Sequence, residues 1–329
     1  MGSRTQQPIR VGISGWTYAP WRGAFYPEGL RRSDELHFAS RQFSTIEING
    51  SFYSLQSPSS YAAWYQATPQ GFVFSVKGGR YVTHIKRLHD ARPALANFFA
   101  SGIFALREKL GPILWQLPPT FRFEIDRLRA FFELLPRSTA EMEKLAKSHD
   151  SFLLGRSLVE AQHDAEPTYA VEVRHPSFLD ARYVELLQEF SIASCIADSA
   201  GHFPTIENLT GPLVYVRLHG SQELYTSGYT PDELQYWCGR VLNWQRGRDA
   251  AEPRTIAVST PRCSHQARPV FVYFDNDAKV HAPFDAREFA ERLRALGGPA
   301  ITPSAQSQRR TVETGSRTRP KHASPRRSP

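Results

Sequence analysis

Eight short β-rich runs recur along this chain at helix-length intervals. Each keeps one face apolar and places polar residues at the C-terminal end of the other. In Tyr169–Phe178, YAVEVRHPSF, Val171 and Val173 alternate with Glu172 and Arg174 before His175-Pro176 closes the run. One such run alone is also compatible with an antiparallel surface strand. Eight, separated by crossovers, point to parallel strands closed into a single (β/α)8 barrel of the TIM type, an α/β fold whose inward polar residues gather at one mouth. The competing architecture, a doubly wound open sheet, usually carries a glycine-rich phosphate turn after its first strand. ISGWTY is not one.

The strands expected are Ile9–Trp16, Ser44–Asn49, Phe72–Lys77, Ile113–Leu117, the opening of Tyr169–Phe178, Ile192–Asp198, Leu213–His219 and Val270–Asp275. Ser33 is placed to cap a first helix, and Ser57-Pro58 opens a second with proline at its first position. Pro93–Leu110 reads as one long amphipathic helix stopped by Gly111-Pro112. Glu124–Leu135 is expected as a helix, with further helix over Thr139–Ala165, and Asp180 caps Ala181–Phe190. Helical signal is thin after Asp198. Thr230-Pro231-Asp232-Glu233 is a capping box, Arg248–Arg268 reads as a surface insertion, and Asp285 caps a last helix ended by Gly297-Gly298. One domain over residues 9–298 follows, after a flexible stretch of residues 1–8.

Composition narrows the class. A chain of 329 residues with 41% apolar content can bury a large core. It has no run of about 18 consecutive apolar residues, so no membrane span is expected. MGSRTQQPIR lacks the apolar middle of a secretory signal, and Cys195, Cys238 and Cys263 share no metal-ligand spacing, which together predict a reduced, cytoplasmic protein. The net charge is +8, but from Arg309 onward seven cations face Glu313 alone, leaving about +2 for the remainder. Residues 299–329, rich in Ser, Pro, Thr and Arg from about Thr302, are expected to be a disordered basic tail. With the basic loop Arg80–Arg87, that tail is the feature through which nucleic acid would be held, without sequence preference.

Strands buried on both faces are ordinarily continuous Val, Ile and Leu. Here the inward mouth positions are Trp16, Glu47, Asn49, Lys77, Gln116, Glu172, Arg174, His175, Asp198, Arg217, His219, Asn276 and one of Asp275 or Asp277. Burying such groups singly costs several kcal/mol each. They must pair with one another, as Glu172 with Arg174 or Arg217 and Glu47 with Lys77, or surround a ligand. Lys77, Arg174 and Arg217, with His175 and His219, bring more positive charge than an uncharged sugar requires, so the expected substrate is a small anion bearing phosphate or carboxylate.

Glu47 and Glu172 are the expected general acid and base, with His175 or His219 as proton relay and Asp198 as a further catalytic candidate. Trp16, Tyr18, Asn49, Arg80, Gln116 and Asn276 complete the substrate-binding set. No cofactor is identified. A divalent metal is the alternative that Glu47, Glu172, Asp198 and His219 would serve, although the three cations would repel it and no HxH or HxxxH spacing supports it. A nucleic-acid phosphodiesterase and a non-catalytic small-molecule binder are the competing functions. His84 lies in the basic loop within reach of a ligand. Tyr53, Tyr81, Tyr225 and Tyr229 either pack the barrel lip or stack on a ring, whereas His265 and the other lone histidines read as surface residues.

Taken in order, GISGWTYAPWRGAFYP, EINGSFY, VKGGRYVTHIKRL, LWQLPPTFRF, VEVRHPSF, IADS, VYVRLHG and VYFDNDA resemble the domain-of-unknown-function-72 family, the YecE-like proteins, over about Ile9 to Leu296. The resemblance implies a TIM-type barrel and carries over no reaction. It places the family's recurrent polar positions on the mouth residues from Trp16 to Asn276 named above. This chain has Asp275-Asn276-Asp277 where the family usually has Asn-Asn-Asp, and Asn49-Gly50 where it has Asn-Ser/Thr. The Asp275 change adds negative charge at the mouth and favours a metal or a less anionic ligand.

Overall fold

The alternation read in the sequence closes on itself. In a computed structural model, which describes residues 6–259 and 266–301, eight parallel strands form a barrel in which each pairs with its sequence neighbours and the first pairs with the last. They are β1 (Ile9–Ser14), β2 (Thr45–Ile48), β3 (Val73–Lys77), β4 (Leu110–Gln116), β5 (Tyr169–Glu172), β6 (Ala193–Asp198), β7 (Val214–Leu218) and β8 (Val270–Phe274). Outward residues such as Ile46, Val76, Trp115 and Val272 join the helices in one large core.

Inside the barrel, residues two apart on each strand form two layers. The lower layer is a small core containing Leu114, Ala170, Cys195, Tyr215 and Tyr273. Two positions further along the same strands stand Gln116, Glu172, Ala197, Arg217 and Asp275, joined by Ser14, Glu47 and Lys77. The strand ends therefore exchange an apolar filling for a polar one over a single layer. At the opposite end, Ile9 exchanges backbone hydrogen bonds with Pro299 and Ile301, so residues 299–301 lie along the start of β1. The expected tail from Thr302, its basic residues and His265 lie outside the described residues.

Three of the five caps expected from sequence are formed. Ser57 accepts from the Ser60 N–H ahead of the helix Pro58–Ala67, and Asp180 from that of Arg182 ahead of Ala181–Glu189. Thr230 and Glu233 form a reciprocal capping box on the helix Pro231–Gln245. No helix occurs between β6 and β7.

Other boundaries moved, each for a local reason. The expected helix over Pro93–Leu110 stops at Ala100. Gly102 follows with φ of +119°, so close to Pro58 that a Cβ would sit 2.5 Å from its Cα, and Leu110 already belongs to β4. The α-helix within Thr139–Ala165 ends at Ala146, and after a 3-10 turn at Ser151–Leu153 the chain folds back to hydrogen-bond Thr139 and Glu143. Ser33 lies inside a 3-10 turn and does not cap the helix Glu35–Ala39. Asp285 lies one turn inside the helix His281–Ala295, where it accepts from the Tyr229 backbone and Asn276. The segment read as a surface insertion hydrogen-bonds Glu207 and Asn208 through Arg254 and Ile256. No helix among the described residues is long and apolar enough to cross a membrane.

Candidate functional site

Arg217, at the inward C-terminal end of β7, is fully buried and surrounded by three carboxylates. One terminal nitrogen donates to Glu172 Oε2 at 2.5 Å, and the other to Glu47 Oε1 and Asp275 Oδ2 at 2.8 Å each. Glu47 uses its second oxygen to accept from the Tyr215 hydroxyl at 2.6 Å, and Glu172 uses its second for Arg174 Nε at 2.7 Å. Asp275 also meets His219 Nδ1 at 2.9 Å. Burial alone would raise the Glu172 carboxyl, but Arg174 and Arg217 overcome it and hold it well below the usual range. Asp275 follows the same balance, with Arg217 and then His219 opposing burial.

Of the paired network expected from sequence, Glu172 does bind both arginines. Glu47, however, pairs with Arg217 and not with Lys77, which stands two positions beyond Ser75, the residue in register with Glu47 on β3. Glu47, Glu172, Arg217 and His219 have no exposed surface, so the expected acid/base pair forms a floor beneath the mouth rather than facing solvent.

Above this floor opens a cleft of about 990 Å³. Trp16, Tyr18, Asn49, Lys77, Gln116 and Arg174 line it as expected, joined by Asp275, Asp277, His84 and Tyr225. Its side wall is aromatic: Trp16 packs edge-on against Trp64 at 5.3 Å, and Phe52 meets His84 at 5.0 Å. Lys77 Nζ lies 4.5 Å from the centre of the Phe52 ring and makes no salt bridge among the described residues. Burial, and then Arg217, lower its pKa to about 8. Asp277 likewise has no salt bridge among the described residues. Burial, and then the neighbouring Asp275, raise it to about 6. Burial, followed by Lys77 and Arg174, lowers His84 to about 4, so it is uncharged at neutral pH. Arg174 stacks on Phe203 and spends Nε and one Nη on Glu172.

Four expected site residues lie elsewhere. Asp198 is on the outward face of β6, where its carboxylate accepts from the Tyr229 hydroxyl and the Trp237 indole; the inward residues of that strand are Ala193, Cys195 and Ala197. His175 caps the 3-10 turn Pro176–Phe178 by accepting from the Ser177 N–H. Asn276 is buried and ties Asp285 to the Ser227 carbonyl. Arg80 is exposed, just before a single π-helical turn, Tyr81–Ile85, and outside the cleft lining. The expected metal ligands are therefore not gathered: Asp198 points away, and Arg217 occupies both glutamates. Among the described residues no group of three or more His, Cys, Asp or Glu side chains is placed to hold a metal ion. Trp64 and Phe52 were not singled out from sequence, since an aromatic residue within a helix reads as core.

The family model described as "Protein of unknown function DUF72" matches residues 10–309. The chain belongs to the DUF72 family. Two curated relatives of this DUF72 chain are the UPF0759 protein YunF of Bacillus subtilis, 27% identical over 118 residues, and the UPF0759 protein YecE of Escherichia coli K12, 25% identical over 171. Those alignments cover 34% and 52% of this chain and span 41% and 50% of the relatives' lengths. Among solved structures, a DUF72 family protein from Thermotoga maritima matches with a TM-score of 0.63 at 26% identity, over 87% of this chain and 99% of that one. A DUF72 family protein from Enterococcus faecalis, at 16% identity and a TM-score of 0.60, covers 87% of this chain and 95% of its own, and shares the fold.

Proposed function

We propose that this protein is an acid/base enzyme acting on a small anionic substrate, one bearing a carboxylate or phosphate, in the cleft at the C-terminal mouth of the barrel. The observation that carries the reading is that two titratable groups of opposite type, Lys77 and Asp277, line one cleft without a salt bridge to any described residue. Burial moves each toward neutrality from its own side, to about 8 and about 6. A group that titrates near the working pH both takes and returns a proton readily. Arg174, fixed by Glu172 and Phe203, presents the remainder of its guanidinium to the cleft and orients the anionic end. The aromatic wall excludes water from the apolar part of the substrate. Glu47, Glu172 and Asp275 support this arrangement from below by holding Arg217.

The test is a panel of small oxo acids and sugar phosphates incubated in D2O and followed by NMR. The wild type is expected to exchange a carbon-bound proton in at least one member, and Asp277→Asn to lose that exchange by more than about 100-fold. Oxalate, an unreactive dianion, is expected to bind in calorimetry and to weaken at least tenfold in Arg174→Ala. Failure of the wild type to bind oxalate or any panel member at millimolar concentration overturns the reading.

A further inference from the structure

Lys77 stands at the last position of β3, only 8% exposed, with its ammonium inside the cleft. A lysine retained for structure at such a site would have its ammonium held, in a salt bridge or by oxygen acceptors as the buried Lys109 is by Tyr65 and Thr68. Of the three carboxylates nearest it electrostatically, Glu47 and Glu172 have instead given both oxygens to Arg217, Arg174 and Tyr215, and Asp275 has given one to Arg217 and His219. They balance its charge without gripping the nitrogen. Its contact is the face of Phe52, an apolar surface that leaves Nζ free to turn toward a guest. A desolvated lysine beside another cation, on an open cleft, is the setting in which an amine becomes a nucleophile.

We propose that Lys77 forms an imine with a small aldehyde or ketone that carries a carboxylate or phosphate. This deepens the acid/base reading above and rests on it. The ammonium first gives a proton to the cleft, where Asp277 is the titrating carboxyl. The nitrogen lone pair then adds to the carbonyl carbon, and the C=O π pair moves to oxygen. One nitrogen-bound proton passes to that oxygen, and the carboxyl returns its own to the resulting hydroxyl. The C–O bond breaks, water leaves, and the nitrogen lone pair forms C=N with one proton remaining. An ammonium and a carbonyl have become an iminium and water, with no change in charge. Formation of the iminium therefore leaves the charge balance over Glu47, Asp275 and Glu172 as it was. The cation created there draws electrons from the adjacent carbon, where an acid/base enzyme would add or remove a proton.

The experiment is reductive trapping on the full chain. Glyoxylate, pyruvate and glyceraldehyde 3-phosphate, at limiting concentration, are each incubated with the protein and sodium cyanoborohydride, which supplies hydride to the C=N bond. Peptide mapping then compares the rate at every lysine. The expected result is a single adduct at Lys77, formed at least tenfold faster than at the exposed Lys147 or Lys279 with at least one probe, and slowed by oxalate. The oxo acids and the sugar phosphate separate the carboxylate source from the phosphate source. Lys77→Arg is expected to lose the fast adduct while the slow labelling of Lys147 and Lys279 is unchanged. Labelling at Lys77 no faster than at exposed lysines with all three probes overturns the proposal. If oxalate still binds the wild type in that case, the imine alone is rejected and the acid/base reading stands; if oxalate does not bind either, both fall.

Discussion

The floor of the barrel mouth and the cleft above it are built from the same kinds of residue and behave oppositely. In the floor, Arg217 meets Glu47, Glu172 and Asp275, and almost every charged atom has a partner. In the cleft above it, Lys77 and Asp277 have no salt bridge among the described residues, and Asp277 has the Tyr18 hydroxyl as a neutral neighbour. Charge alone therefore does not mark a site of chemistry. A saturated network fixes geometry, whereas groups left short of partners at its edge are available to a guest.

Replacing the central cation should separate the two regions most sharply. Arg217→Met removes the cation that three buried carboxylates share, leaving Glu47 without any, and is expected to cost about 3–5 kcal/mol of stability, or to prevent folding. Lys77→Met removes a group that grips no carboxylate and should change stability by less than about 1 kcal/mol. Denaturant unfolding of the two variants checks this, and equal losses would merge floor and cleft into one structural unit.

A pH titration of stability is the next test, because the two regions respond with opposite sign. Glu172 and Asp275 are depressed in the fold, so their contribution is present above the unfolded carboxylate value near 4 and is lost as pH falls through their lower folded values. Asp277 is raised to about 6, so the folded state holds its proton more tightly and stability declines as pH rises from about 4 to 6. Asp277→Asn is therefore expected to raise Tm by a few degrees at pH 7 and by nothing at pH 4. A Tm gain independent of pH would contradict that assignment. The smallest effect is expected at Asp198, which lies outside both regions: Asp198→Asn should leave oxalate affinity within about twofold of wild type, as measured by calorimetry.

How far the sequence could be read follows from the range of each signal. Strand parity is a local rule, so β2, β5 and β7 showed which of their residues turn inward. In β6 the same rule misled, because Ser194 and Asp198 share the face that turned out to meet the helices, while the inward face is Ala193, Cys195 and Ala197. The difference is decided by Tyr229 and Trp237, more than 30 residues away, which supply partners for Asp198 on the outside. Caps at Ser57, Asp180 and Thr230 were legible because donor and acceptor lie within three residues. That Glu47 and Glu172 lie beneath the solvent-facing surface was not legible, since Arg217 meets them from 170 and 45 positions away. His175 and Asn276 sit at strand ends, as active-site residues would, but serve a turn and a loop.

The hydrogen bonds between Ile9 and residues 299–301 have a practical consequence. They moor the end of the described chain beside the first residue of β1, on the side of the barrel away from Lys77. A bead, sensor chip or reporter joined directly after Ile301 would therefore begin behind the mouth and leave the cleft facing the sample.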